Sequence, residues 1–158
     1  MKGINIAEQC HIVNAMPPIN ITGGVDSDVW SMAKHEHATF IIPIGVSAAA
    51  FTKIILQACD DFVPSATTDI GYRLYAEETA AGDTLDAAEA VAAAGRTPDA
   101  ADNIVYVIEI DASELPAGKP NLRVHLTNGV NAVIASVIVI LSGARYSEVQ
   151  SASTTAIA

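Results

Sequence analysis

The stretch NLRVHLT, residues 121–127, decides the fold class. Leu122, Val124 and Leu126 alternate with Arg123, His125 and Thr127. An extended strand sends successive side chains to opposite faces, so a period of two sets one apolar face against one polar face. The pattern predicts a half-buried strand.

Asn128 and Gly129 follow, then a second apolar run over residues 130–141. Asn-Gly between two such runs favours a tight hairpin, because both residues tolerate positive φ. The second run is apolar on both sides, with Ile134, Ile138 and Ile140 against Val133, Val137 and Val139. So many β-branched residues lose side-chain freedom in a helix, which makes this a strand covered on both faces. One of those covers is expected to be another subunit.

Working towards the N-terminus, IVYVIEID (residues 104–111) reads as a central strand. DIGYRLYAE (residues 69–77) reads as a strand with Ile70, Tyr72, Leu74 and Ala76 on one side. TKIILQA (residues 52–58) is another, ended by Asp60 and Asp61. ATFIIPIGV (residues 38–46) places Phe40, Ile42, Ile44 and Val46 on one face. Pro43 lacks an N–H, which predicts an edge or bulged strand there. LDAAEAVAAA (residues 85–94) suits a short helix capped by Asp83 or Thr84 and stopped by Gly95, or a loop of small residues. Six or more short strands separated by turns predict an all-β, single-domain β-sandwich of jelly-roll type with at most one short helix. Met16-Pro17-Pro18 implies an extended arm over residues 1–24, with the sandwich over 25–146. Residues 147–158, small and polar with no core-forming period, are expected to form a flexible tail, disordered or ordered only against a neighbour.

Composition narrows the function. The 158 residues are 51% hydrophobic and 16% charged, which suits a packed domain and leaves apolar surface for partners. A net charge of −10, with eight Lys and Arg dispersed along the chain, argues against nucleic acid and anionic membranes as partners. The longest apolar run, residues 132–141, is too short for a membrane helix. MKGINIAEQC lacks the apolar run of a signal peptide, so synthesis in a cytoplasm is expected. Cys10 and Cys59 stand apart and imply no disulfide framework.

No motif calls for catalysis or a cofactor. His35 and His37 are two apart and share a strand face, but a zinc site needs further ligands, so a polar turn before the strand is the simpler reading. Asp60-Asp61 and Glu77-Glu78 are carboxylate pairs at strand ends, where solvated turns are the rule. No nucleophile elbow or phosphate loop occurs. Four residues are candidates for a protein interface. Trp30 and its neighbour Met32 fit a core position and an interface position equally, because tryptophan is enriched in both. Arg145 and Tyr146, just past the last strand, are residue types enriched in subunit contacts.

Several phrases in succession bear on a family: GGVDSDVWSM (residues 23–32), HATFIIPIG (37–45), Cys59-Asp60-Asp61, Asp83-Thr84-Leu85, DNIVYVIEIDASEL (102–115) and VIVILSGARY (137–146). Their order and spacing resemble the capsid decoration (cement) proteins of tailed bacteriophages and related small virion proteins. The resemblance implies a virion protein on the capsid surface, made in the host cytoplasm. It would be a dimer or trimer bound to the major capsid protein, stabilising the shell by bridging its subunits. A tail or connector component is the alternative within that class. A carbohydrate- or small-ligand-binding sandwich is the alternative outside it, although few aromatics exist to line a pocket.

Overall fold

The computed structural model describes residues 3, 5–47, 49–77, 84–99 and 102–145. It is all-β apart from a short helix α1 (Ile6–Gln9) and a 3-10 turn (Ala112–Glu114). Two antiparallel sheets pack face to face. The six-stranded sheet runs in the order β1 (His11–Asn20), β11 (Val133–Ala144), β4 (His35–Ser47), β9 (Ile104–Asp111), β7 (Tyr72–Ala76), β8 (Glu89–Val91). The second runs β2 (Val25–Asp26), β10 (Asn121–Thr127), β5 (Lys53–Cys59), β6 (Thr67–Ile70), with β3 (Trp30–Ser31) also paired to β10.

The topology is that of a jelly roll. Let β2 and β3 be one interrupted strand, with β7 and β8 an extension of the larger sheet. The remaining strands, taken in chain order, then lie first–eighth–third–sixth in one sheet and second–seventh–fourth–fifth in the other. Strands from the two ends of the chain therefore lie side by side, as β1 and β11 do.

Alternation drives the assembly. Phe40 and Ile42 on β4, with Ile108 and Ile110 on β9, point inward from one sheet. Leu122, Val124 and Leu126 on β10, with Ile54 and Leu56 on β5, meet them from the other. Each such side chain contributes about 1.5–3 kcal/mol by leaving water. Trp30 ties the sheets together, its ring centroid 5.0 Å from that of Phe40.

Several expectations change. Residues 11–20 are not an arm but the first strand of the sandwich, with Val13, Ala15 and Met16 in the core. Pro17 and Pro18 are tolerated because β1 is an edge strand whose pairing to β11 is irregular on either side of Met16. Residues 69–77 are two strands, not one: β6 and β7 belong to different sheets and break at Gly71. A Cβ at Gly71 would approach the Val91 carbonyl oxygen to 2.9 Å. Ile70, Tyr72, Leu74 and Ala76 are all buried as expected, since both strands face the same core.

Asn128–Gly129 makes no hairpin, because β10 and β11 lie in different sheets. The loop is stitched instead by the Asn128 side chain, whose Nδ2 donates to the Asn131 carbonyl at 2.9 Å. Pro43 lies in a central strand, and the bulge follows it. Between the pairs Ile44–Ala135 and Ser47–Val133, β4 carries one extra residue, which turns Val46 out to 67% exposure. Residues 85–94 form no helix; residues 89–91 pair with β7 as β8. Asp83, Glu78, Tyr146 and residues 147–158 lie outside the described residues.

Candidate interaction surfaces

The sandwich has two outer faces, and cross-strand register shows what each carries. On the six-stranded sheet, Ile138, Ile41, Val107 and Tyr75 are direct neighbours on β11, β4, β9 and β7. All four are half-buried. One row along, Ile12 and Ile140 stand beside Thr39, Glu109 and Arg73. On the other side of the apolar row come Pro43 with Val105, then Ile134 beside Gly45. Ile12 is 49% exposed and Ile134 39%. Among the described residues no third layer covers this face. An apolar patch left open across several strands is the kind of surface that proteins use for partners.

A charged corner closes one end of that face. His37 Nδ1 donates to Asp111 Oδ1 at 2.7 Å, and its Nε2 lies 3.1 Å from Glu109 Oε2. Arg73 reaches Asp111 at 3.3 Å and Glu114 at 3.4 Å. The hydrogen bond from His37 holds the Asp111 carboxyl below its usual range. Partial desolvation opposes that shift, and the charges of His37 and Arg73 add to it.

The five-stranded sheet presents a different outer face. Arg123 bonds Asp26 at 2.7 Å and donates through Nε to Gln57 at 2.8 Å. Gln57 donates in turn to Asp69 at 2.7 Å, and His125 donates to Asp26. These groups satisfy one another across four strands, β2, β10, β5 and β6.

The four residues singled out by sequence fare unequally. Trp30 is 0% exposed and Met32 1%, so both belong to the core. Arg145 is exposed, and its N–H donates to the Lys34 carbonyl at 3.0 Å. That bond brings Arg145 and Met32 to one cleft of about 310 Å³ at the end of the sandwich. Lys119 and Leu115, from the far loop, complete it. The chain separation of that loop hid them from sequence reasoning. No sequence signal marks them beyond the Pro116 and Pro120 that stiffen the loop.

The other chemical candidates are structural where described. His35 and His37 belong to β4 rather than to a turn before it. His35 is buried and stacks on His11 with centroids 6.3 Å apart, whereas His37 pairs with carboxylates. Burial, then the neighbouring His11 and Lys34, push the His35 pKa down. Asp60 folds its own turn, accepting from the Asp61, Ser65 and Ala66 N–H groups and the Ser65 hydroxyl. The Ser65 bond is the chief reason its pKa falls to about 2. Glu77 accepts from the Val105 N–H at 3.1 Å. Cys59 is buried with its thiol pushed up by desolvation, which leaves it unreactive. Among the described residues no group of three His, Cys, Asp or Glu is placed to hold a metal ion. Nor is any helix among them long and apolar enough to cross a membrane.

No family model, no curated protein and no solved structure matches the chain.

Proposed function

We propose that this protein is a structural component of a tailed-phage virion. It binds the outer surface of the assembled capsid, as a dimer or trimer, and stabilises the shell by bridging major capsid protein subunits. The observation that carries the reading is the open apolar face of the six-stranded sheet, centred on Ile138, Ile41, Val107 and Tyr75. A jelly roll hosts many functions and argues for none alone. The succession of sequence phrases from residue 23 to 146 supplies the phage shell as partner.

In this reading the apolar face buries itself against a second copy, and the oligomer then engages several shell subunits at once. Multivalent engagement raises avidity over single-site affinity by about two to four orders of magnitude without new contacts. With residues 11–20 held in the sheet, they do not serve as a reaching arm. In this reading bridging uses the sandwich surface, of which residues 11–20 are part.

The test mixes purified full-length protein with undecorated, expanded phage shells. Co-sedimentation and a rise in the temperature at which shells disrupt are the expected results. No binding to shells, with binding to isolated tails or connectors, would replace the decoration role by the tail role.

A further inference from the structure

The cleft at the Arg145 end has walls that are set before anything binds. Met32 N–H donates to the Pro120 carbonyl at 2.9 Å, and Lys119 N–H to the Pro116 carbonyl at 3.1 Å. Gly118, at φ +78°, makes the tight turn between Pro116 and Lys119 that a side chain would strain. Its lining is largely apolar, with Leu115, Pro116 and Pro120 beside the almost fully buried Met32. Its charges are both positive, Lys119 and Arg145.

Several of the other described cations are already engaged. Arg73, Arg96 and Arg123 sit in ion pairs, and Lys53 donates to the Ala94 carbonyl. Among the described residues, neither Lys119 nor Arg145 has a carboxylate within ion-pair distance. Glu36 and Asp111 line a neighbouring cleft that shares Arg145, and Asp111 is committed to His37 and Arg73. On a chain of net charge −10, two cations with no ion pair among the described residues here meet a preformed, largely apolar surface.

We propose that this cleft docks an acidic, partly apolar segment of a partner protein. The segment lies extended, with carboxylates against Lys119 and Arg145 and an aliphatic side chain against Leu115 and the two prolines. Charge complementarity selects the partner, because the rest of this acidic chain repels an acidic segment. The preformed walls lower the ordering cost of binding. Two cations are too few to hold a nucleic acid at physiological salt. The inference stands apart from the shell reading, since it needs only an acidic segment and not a particular particle.

The test titrates full-length protein into a fluorescein-labelled synthetic nonapeptide of aspartate, leucine and serine, read by fluorescence anisotropy. Matched peptides carry asparagine or lysine in place of aspartate. Binding of the aspartate peptide should exceed that of the others by about tenfold, and should weaken about threefold between low and high salt. The Lys119→Glu/Arg145→Glu double variant should lose about tenfold in affinity while its thermal melt stays near wild type. Equal binding of all three peptides, or unchanged affinity in the double variant, would overturn the proposal. So would a double variant that loses self-association but binds peptide as before, because the occupant would then be a second copy. Failure to co-sediment with shells, with peptide binding intact, would sink the shell reading and leave the cleft assignment standing.

Discussion

The outer faces of the two sheets are made by the same alternation yet finish differently. On the five-stranded sheet, Arg123, Asp26, Gln57, Asp69 and His125 bond one another, so the face is complete in the single chain. On the six-stranded sheet, Ile138, Ile41, Val107 and Tyr75 occupy the equivalent outward positions with nothing described above them. Period two therefore tells which residues leave the core, and their chemistry separates a face that satisfies itself from one left apolar. A face that satisfies itself is a wall. A face that does not is an offer.

The largest expected effect falls on what both faces share. Trp30→Ala should cost about 3–5 kcal/mol in chemical denaturation, by removing the ring that packs between the sheets against Phe40. The indole Nε1 has no acceptor among the described residues, so the loss is one of packing and not of a hydrogen bond. A cost under about 1 kcal/mol would mean that Trp30 does not join the two sheets.

A smaller effect separates the faces. Arg123→Ala leaves Asp26 and Gln57 without their shared donor and should cost about 1–3 kcal/mol. Self-association should be unchanged, because the proposed contact is the six-stranded face. A shift in oligomer mass in this variant would erase the distinction between the faces.

The smallest effect is a dependence on pH at one corner. The folded pKa of His35 lies below its ordinary 6.5, so below that pH the unfolded chain binds more protons. Stability from this residue is present above about 6.5 and is lost as pH falls towards the lowered value. Asp60 and Asp111 are also lowered, from 3.8, with Asp60 reaching about 2, so their contribution is lost in a separate window below about 4. Thermal melts between pH 7.5 and 5 should fall less steeply for His35→Asn than for wild type. Parallel curves would show that burial of His35 does not contribute in that range.

Much of this was legible in the sequence, and the gaps have physical causes. Strands such as residues 121–127 and 104–111 were readable because one face is dry and the other is not. β1 was missed because Pro17 and Pro18 imitate an arm, and an edge strand with irregular pairing is where prolines can sit in a sheet. Gly71 marked a change of sheet, yet the alternation runs through it unbroken because the core lies on the same side of both strands. Asn128–Gly129 carries a hairpin signal that the jelly-roll order overrides. At the end cleft, Arg145 was legible as an interface type, whereas Lys119 joins it through long-range contacts, the β3–β10 pairing and the Met32–Pro120 bond. The corner of His37 and Asp111 is likewise a product of register between β4 and β9.

The central claim is that the six-stranded face is the association surface, and sedimentation equilibrium tests it most directly. Wild type should show a mass above the 16.4 kDa protomer at high concentration. Ile41→Glu/Ile138→Glu places two charges on adjacent strands in the middle of the face. It should weaken association at least 100-fold, about 2.7 kcal/mol, and sediment as the protomer, while its fold persists because both side chains are only half-buried. A double variant that associates as tightly as wild type would contradict the account.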